Sequence, residues 1–266
     1  MQLKTILITG ASSGIGLAAA TLLASRGHTV IGTSRAPEQR SVAGFELLPL
    51  DVRSDESVNA CVQAVMQRVD HLDVLINNAG IGMVGFLEET TVEDAKAIFE
   101  TNFFGVMRMT NAVLPHMRAR RSGRIINIGS LAGWVGVPSE GMYSATKFAL
   151  EGYTEALWRE VKRFNIRVSL VEPGDFDTPI VFQPVSRVID EYRATYRHVI
   201  PTRAHILHTS PPPDEVARAI ARIVESDSRR LRYLVGREKW DVMFKHFLPE
   251  AVFDWFARRR FRLDDD

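Results

Sequence analysis

The stretch TILITGASSGIG, residues 5–16, decides the fold. Its first part is a short apolar run, which is typical of a strand covered on both faces in a parallel sheet. Its second part carries three glycines spaced G-x-x-x-G-x-G, directly before a long helical period. Glycines in such a turn let the backbone approach a ligand closely, and the helix N-terminus offers free N–H groups to a pyrophosphate. The stretch therefore predicts a dinucleotide-binding loop, whose members are Gly10, Ser12, Ser13, Gly14, Ile15 and Gly16.

Short apolar runs and helical periods alternate along most of the chain. Strands are predicted at residues 5–9, 29–33, 46–50, 74–77, 124–128 and 167–171, with a seventh at 231–235. Helices are predicted at residues 15–26, 56–69, 92–117, 144–164 and 214–225. Because such alternation builds βαβ units, we expect an α/β fold with a Rossmann-type, doubly wound parallel sheet of six to seven strands. The pattern has no break that would separate a second domain, so residues 1–266 are predicted to form a single domain.

The composition is that of a soluble globular protein. Of the 266 residues, 45% are hydrophobic and 24% are charged, and the formal net charge is +1. A charge this close to zero argues against a broad nucleic-acid-binding face. The lone cysteine, Cys61, can form neither an internal disulfide nor a cysteine-based zinc site. Because glycines and serines also interrupt the uncharged residues 5–25, we expect a cytoplasmic protein without a membrane span.

Residues 179–213 differ from the rest of the chain, because they contain several prolines and no strong period. A connection of this length without clear secondary structure is commonly a lid or a binding loop. It follows the sixth strand at the carboxyl edge of the sheet, where open α/β sheets bind ligands. We predict a substrate lid with one or two short helices; two ordinary surface helices are the alternative. Residues 1–178 would then be the cofactor-binding and catalytic frame, and residues 214–266 a C-terminal helix, strand and tail.

The end of the second strand predicts the choice of cofactor. A NAD site has an acidic residue there to accept hydrogen bonds from the ribose, but this chain has Ser34 and Arg35. Arginine can instead hold a 2′-phosphate through forked, charge-assisted hydrogen bonds. We therefore expect NADP(H) rather than NAD(H), with an ordinary surface arginine as the alternative. Asp51 and Val52 end the third strand, where Asp51 could accept a hydrogen bond from the adenine amino group.

Three residues predict catalysis. Tyr143 and Lys147 are four residues apart on one face of a predicted helix, and Ser130 follows the fifth strand. An unperturbed tyrosine has a pKa of about 10. A cation at about 4 Å contributes up to roughly 4 kcal/mol at an effective dielectric constant of about 20, so we expect the pKa of Tyr143 to be lowered toward neutrality. Tyr143 could then exchange a proton with a substrate oxygen to which Ser130 also donates.

Together these motifs resemble those of the short-chain dehydrogenase/reductase family, from about Thr5 to Thr178. The matching positions are Thr9 to Gly16, Asp51-Val52, Asn77-Asn78-Ala79-Gly80, Asn102, Ser130, Tyr143 to Lys147, and Pro173-Gly174 with Thr178. The resemblance implies a Rossmann-type fold and nicotinamide-dependent oxidoreduction of a carbonyl or an alcohol. A weaker similarity, in residues 81–89 and 134–142, indicates the branch of hydroxysteroid dehydrogenases, retinol dehydrogenases and bacterial ketone reductases.

The resemblance also implies roles for single residues. Asn102, in the helix before the fifth strand, would hold a water that links Lys147 to solvent as a proton relay. Lys147 would also bind the nicotinamide ribose. Relatives associate through their two long helices, so a homodimer or homotetramer is expected. Further cofactor contacts are implied for Asn78, Ala79, Gly80, Pro173, Gly174, Phe176 and Thr178.

An apolar substrate pocket is predicted beside these residues, although half of its members could be ordinary core. Such a pocket fits a bulky hydrophobic carbonyl. We expect an NADP(H)-dependent oxidoreductase that interconverts a hydrophobic ketone or aldehyde and its alcohol, with Tyr143 as acid and base. The alternatives are a nonenzymatic NADP-sensing or scaffold protein on the same fold, and an NAD-dependent alcohol or hydroxysteroid dehydrogenase. The predicted pocket residues are Trp134, Val135, Val137, Met142, Ile180, Val181 and Phe182.

Two further features are predicted to carry no chemistry. The histidines show no ligand spacing accompanied by acids or cysteines, so no metal site is expected. The basic residues 258–262 follow Phe253, Trp255 and Phe256, a pattern that could rest on a membrane surface. We instead expect a solvated face or a subunit contact there.

Overall fold

The strands of the protein follow the predicted apolar runs. The computed structural model describes residues 2–39, 42, 44–245 and 248–263. Seven of its strands form one parallel sheet in the order β3-β2-β1-β4-β6-β7-β9, which confirms the seven predicted strands and the fold class. The strands in the described residues are β1 Thr5–Ile8, β2 Thr29–Ser34, β3 Glu46–Pro49, β4 Val74–Asn77, β5 Gly82–Val84, β6 Gly123–Ile128, β7 Ile166–Pro173, β8 Phe182–Pro184 and β9 Arg232–Val235.

The five predicted helices are also present. The predicted helix at 92–117 is one continuous segment in which a π-helical turn, Glu100–Phe104, joins two α-helices. The predicted helix at 144–164 begins earlier, so that Tyr143 lies in its first turn. Within the described residues the α-helices are α1 Gly14–Ser25, α2 Asp55–Arg68, α3 Val92–Phe99, α4 Gly105–Arg120, α5 Gly141–Glu160, α6 Arg193–Thr209, α7 Asp214–Glu225, α8 Lys239–Lys245 and α9 Glu250–Arg260.

Both faces of the sheet are buried. Successive residues of a strand point to opposite faces, so Ile6 and Ile8 of β1 enter one core and Leu7 enters the other. The first core packs against α1 and α7, and the second packs against α2, α4 and α5. This double covering explains why the strands read as nearly continuous apolar runs. Among the described helices, none is both long and apolar enough to cross a lipid bilayer.

The predicted lid, residues 179–213, is more ordered than the sequence indicates. It contains β8, which pairs in parallel with β5, and then a single long helix, α6, in place of one or two short ones. Pro201 lies inside α6, and this proline hid the helix from the sequence pattern. The pairing with β5 joins residues about one hundred positions apart, which no local pattern can predict.

Candidate active site

A cavity of about 860 Å³ runs along the carboxyl edge of the sheet. It begins at the loop between β1 and α1, where Gly10 and Gly14 have φ angles of 67° and 53° that only glycine adopts without strain. Gly16 itself does not line the cavity. A Cβ there would collide with the carbonyl oxygen of Gly10 and the amide of Asn78, so Gly16 lets α1 pack against the loop. The predicted loop residues that do line the cavity are Gly10, Ser12, Ser13, Gly14 and Ile15.

The glycine-rich loop is tied to the end of β4. Asn78 Nδ2 donates to the carbonyl oxygens of Thr9 and Gly10, both at 3.0 Å. In return, Thr9 Oγ1 accepts from the N–H groups of Asn78 and Ala79 at 2.9 and 3.0 Å. These bonds fix the loop beside the N-terminus of α1, where a pyrophosphate is predicted to bind.

The ends of β2 and β3 form the far end of the cavity. Four residues predicted to hold the adenosine part of a dinucleotide line this end, namely Ser34, Arg35, Asp51 and Val52. Asp51 is engaged by Arg53, whose Nη2 lies 2.7 Å from Oδ2, and this hydrogen bond lowers the pKa of the Asp51 carboxyl. Arg53 also lines the cavity, and sequence reasoning missed it. The exposed Arg35 guanidinium has no carboxylate within ion-pairing distance among the described residues, so it is available to an anion.

The segment that begins at the end of β7 and the segment after β4 hold the remaining predicted cofactor positions. Phe176 is buried, and Thr178 packs close to Gly14, so the segment after β7 closes over the loop after β1. Seven further predicted cofactor positions line the cavity: Pro173, Gly174, Phe176 and Thr178 in this segment, and Asn78, Ala79 and Gly80 after β4.

Ser130, Tyr143 and Lys147 line the middle of the same cavity. Ser130 follows β6, and its Oγ donates to the carbonyl oxygen of Pro173 at 3.4 Å. Tyr143 and Lys147 are one turn apart on α5, and Lys147 Nζ lies 5.5 Å from the centre of the Tyr143 ring. The ammonium also donates to the carbonyl oxygen of Ile128 at 2.9 Å, which fixes it beneath the tyrosine.

The charge states of this group differ from the sequence prediction. Burial raises the pKa of Tyr143 to about 12, and the hydrogen bond with Ser130 only partly opposes this effect. Burial also lowers the pKa of Lys147 to about 8. The prediction of a tyrosine pKa lowered toward neutrality is therefore wrong for the structure, because it counted the lysine charge and left out the cost of burying a phenolate.

Asn102 lies behind the cavity rather than in it. It is buried in the π-helical turn, and its side chain both donates to and accepts from the main chain of Ile81, at 2.9 Å in each case. Its Nδ2 also donates to Thr146 Oγ1 at 3.3 Å. The side chain thus positions the segment after β4 against α5. The water relay through Asn102 stays a prediction.

Five of the seven predicted substrate-pocket residues line the cavity: Val135, Val137, Ile180, Val181 and Phe182. Trp134 and Met142 do not, and these two predictions are corrected. The indole N–H of Trp134 instead donates to the buried Glu172, which does not line the cavity either. Met142 is next to Tyr143 in a helix, and neighbouring helical residues point about 100° apart.

Sequence reasoning missed a group of charged residues at the substrate end of the cavity. Arg203 of α6 is within 2.5 Å of Glu140 and of Asp175, and Arg260 of α9 is 3.5 Å from Asp175. Although burial opposes its charge, the two carboxylates raise the pKa of Arg203 above its usual range. Burial raises the pKa of Glu140, and Arg203 opposes that shift. Nothing in the sequence pattern separates these residues from ordinary surface charges.

The C-terminal helix also contributes to the cavity. Phe253, Ala257 and Arg260 share one face of α9 and line the cavity, together with Phe256 and Phe261. The expectation of a solvated face or a subunit contact therefore covers only the outer side of this helix, where Trp255 is 59% exposed. His205 and His208 lie on α6, as the lid assignment predicts, whereas His246 is outside the described residues.

Known proteins with similar sequences are oxidoreductases. The chain is 51% identical over 265 residues to 3-ketodihydrosphingosine reductase from Bacteroides thetaiotaomicron, an alignment that covers 97% of this chain and 98% of that protein. It is 37% identical over 252 residues to human retinol dehydrogenase 8, covering 86% of this chain and 80% of that protein. The second similarity agrees with the branch that the sequence indicates.

Solved structures show the same architecture. A short-chain dehydrogenase from Streptomyces avermitilis has a TM-score of 0.82 at 34% identity, over 100% of this chain and 99% of that chain. A metagenomic short-chain oxidoreductase in complex with NADP has a TM-score of 0.70 at 30% identity, over 87% and 96%. The 3-ketoacyl-(acyl-carrier-protein) reductase from Brucella melitensis, complexed with NADH, has a TM-score of 0.73 at 27% identity, over 88% and 98%. These complexes support the prediction of a nicotinamide cofactor.

The family model for short chain dehydrogenases matches residues 4–186, which hold the glycine-rich loop, Ser130, Tyr143 and Lys147. The chain belongs to the short-chain dehydrogenase/reductase family, whose members are oxidoreductases of CH–OH and C=O groups.

Proposed function

We propose that the protein is an NADP(H)-dependent reductase of long-chain hydrophobic ketones. One observation carries the proposal: a single cavity connects the glycine-rich loop, the Ser130-Tyr143-Lys147 group and an apolar wall built by the lid and the C-terminal helices. The members of that wall include Val135, Val137, Ile180, Val181, Phe182, Leu207, Val242, Phe253, Phe256 and Phe261.

The cofactor end of the cavity fits a dinucleotide that carries a 2′-phosphate. The loop after β1 presents free N–H groups and close-packed glycines to a pyrophosphate, and Arg35 offers an exposed guanidinium at the end of β2. A guanidinium at this position favours the phosphate over an unmodified ribose. Bound nicotinamide would supply the hydride that reduces the carbonyl carbon.

The catalytic group suits reduction. With its pKa at about 12, the Tyr143 phenol is protonated at neutral pH and can give its proton to the carbonyl oxygen as that oxygen gains negative charge. Ser130 Oγ is placed to donate a second hydrogen bond to the same oxygen. The protonated Lys147 stabilises the phenolate that remains, and this stabilisation is lost once Lys147 is neutral.

The substrate class is supported by the apolar wall and by the Bacteroides relative. 3-Ketodihydrosphingosine is a long alkyl ketone with an amino group and a hydroxymethyl group beside the carbonyl. At 51% identity over nearly the full length of both chains, a long-chain amino ketone of this kind is the substrate we propose.

The proposed function is tested by measuring the oxidation of NADPH that depends on an added ketone. Purified protein is mixed with NADPH or NADH and with 3-ketodihydrosphingosine, alkan-3-ones of increasing length, all-trans-retinal or a steroid ketone. Because each buried methylene contributes about 0.8 kcal/mol, kcat/KM should rise with the chain length of the ketone. Because Arg35 favours a 2′-phosphate, kcat/KM should also be higher with NADPH than with NADH. Nicotinamide oxidation with none of these compounds, or fastest oxidation with retinal or the steroid, would contradict the proposal.

Two variants of α9 sharpen the test. Phe253 faces the cavity, whereas Trp255, on the same helix, is exposed. Phe253→Ala should flatten the dependence of kcat/KM on chain length, and the matched Trp255→Ala should preserve it. Equal effects of the two substitutions would remove α9 from the substrate wall.

A homodimer or homotetramer is part of the proposal. Phe104 on the α3–α4 segment is 39% exposed and Phe148 on α5 is 45% exposed, so both long helices present aromatic surface to solvent. Light scattering on the purified protein tests this, and a monomer at assay concentration would contradict it.

A further inference from the structure

The substrate end of the cavity holds a group of charged side chains. Three carboxylates line it, Glu140, Asp175 and Glu238, together with two guanidiniums, Arg203 and Arg260. Arg203 lies between Glu140 and Asp175, and Arg260 approaches Asp175 from the other side. Glu140 and Asp175 therefore have arginine partners, whereas Glu238 has none in this group.

Glu238 lies in the turn between β9 and α8. No cation lies within ion-pairing distance of its carboxylate among the described residues. The next residue, Lys239, is turned away, since its ammonium lies over the Trp240 ring at 5.6 Å from the ring centre. A carboxylate that is only partly exposed binds a cation more readily than one on an open surface, because less water competes for it.

Glu238 packs against the segment that follows β7, and the last residue of β7 contacts Ser130. Its carboxylate fills the space where a Cβ of Gly174 would be, and it lies within 3.0 Å of the corresponding position at Gly236. Gly174 follows Pro173, whose carbonyl oxygen accepts from Ser130 Oγ. Glu238 therefore packs against the residue that follows Pro173, and it lines the same cavity as Ser130 and Tyr143.

We propose that Glu238 is a specificity-determining residue that binds the ammonium group of an amino ketone at the carbon next to the carbonyl. The inference rests on the proposed reduction of long-chain ketones and adds a recognition site to it. The ammonium pairs with the Glu238 carboxylate, while the alkyl chain extends along the apolar wall.

A purely structural role for Glu238 makes a different prediction. Glu238 immediately precedes α8, and its carbonyl oxygen accepts from the N–H of Val242 at 3.2 Å. An acidic residue at a helix N-terminus can stabilise that helix. Loss of such a role would lower the melting temperature and the rates with all ketones alike.

The experiment compares two substrates that differ only in the amino group: 3-ketodihydrosphingosine and its analogue with hydrogen in place of that group. Loss of a hydrogen bond to a charged group corresponds to about a 10- to 100-fold effect, so Glu238→Gln should lower kcat/KM for the amino ketone by about that factor. The loss should fall mainly on KM, and the analogue should react as well with Glu238→Gln as with the wild type. Glu238→Asp should recover part of the preference for the amine.

The matched control is Glu160→Gln, the same change at an exposed position of α5 that does not line the cavity. It should leave both substrates unaffected. Equal losses for the two substrates in Glu238→Gln, or unchanged kinetics for both, would overturn the assignment of Glu238. Failure of the wild-type protein to reduce either compound would overturn the proposed function itself, whereas reduction of both without preference would overturn only the recognition of the amine.

Discussion

The cofactor end and the substrate end of the cavity are built in different ways. The cofactor end consists of strand ends and the turns that follow them, and its residues are held by hydrogen bonds to the main chain, such as those between Asn78 and the loop after β1. The substrate end consists of the lid, α8 and α9, which are held to the rest of the chain through side-chain ion pairs such as those of Arg203 with Glu140 and Asp175. The first end depends on backbone geometry and the second on side-chain charge.

The two ends should therefore differ in how well they tolerate side-chain substitutions. A backbone cradle tolerates many side-chain changes as long as its glycines remain. A buried ion-pair network depends on every member, because the loss of one partner leaves an uncompensated charge. Substitutions should therefore have separable effects at the two ends.

The largest effect is expected between the two ends, at Tyr143. Tyr143→Phe removes the proton donor, so turnover should fall by about 100- to 10,000-fold or more. The cofactor end is untouched, so NADPH binding, followed by nicotinamide fluorescence, should keep its Kd. A variant that retains turnover would contradict the role of Tyr143.

The next largest effect is expected at the substrate end. Arg203→Ala leaves Glu140 buried without its cation, which should lower the free energy of unfolding by about 3–5 kcal/mol. Chemical denaturation measures this change. The control is Arg193→Ala on the same helix, whose ion pair with Asp190 is exposed and should contribute less than about 1 kcal/mol. Similar decreases in the free energy of unfolding for both variants would show that the ion pairs of Arg203 do not stabilise α6 more than an exposed ion pair does.

At the cofactor end, Arg35→Asp should exchange the preferred cofactor. An aspartate repels the 2′-phosphate and accepts hydrogen bonds from an unmodified ribose, so the ratio of kcat/KM for NADPH over NADH should drop by about 10- to 100-fold. The melting temperature without cofactor should stay the same, since Arg35 is exposed. An unchanged ratio would remove Arg35 from cofactor selection.

The pH dependence tests the link between the ends. Lys147 is positively charged below its pKa of about 8 and neutral above it. For reduction, kcat/KM should therefore be level at lower pH and fall by about tenfold per pH unit above that value. Tyr143 stays protonated throughout this range, because its pKa is about 12. The guanidinium in Lys147→Arg does not titrate in this range. If kcat/KM of this variant still fell above about pH 8, the fall would have to come from a group other than Lys147.

The smallest effect on activity is expected at Trp134, which lies outside the cavity. Trp134→Phe removes the donor to buried Glu172 and should lower the free energy of unfolding by about 1–3 kcal/mol. The KM for a long-chain ketone should barely change, whereas Val137→Ala, which alters the cavity wall, should raise it. A larger increase in KM for Trp134→Phe than for Val137→Ala would indicate that the Trp134 indole contacts the substrate after all.

Sequence reasoning was effective where function depends on local pattern. The glycine loop, the seven strands and the Tyr143-Lys147 pair follow from short-range spacing, and the structure places them as predicted. Met142 failed as a pocket residue because one step along a helix changes the face, and the start of α5 was predicted three residues late. Glu140, Arg203 and Glu238 could not be found, because their meaning comes from neighbours distant in sequence. The error about the pKa of Tyr143 has the same origin, since burial is a property of the whole fold.

The pairing of β5 with β8 joins two segments that are distant in sequence, so that one segment can be exchanged only together with the other. Glu89, buried behind Phe86, accepts hydrogen bonds from the Ile189 N–H at 2.8 Å and from the Tyr196 hydroxyl, and the Phe86 ring stacks on Tyr192. A chimera that exchanges only residues 179–196 with a relative would separate these partners and lose the lid. Grafting residues 81–91 along with them should keep the lid in place, even though Asn102, Ser130, Tyr143 and Lys147 all lie between the two segments in the chain.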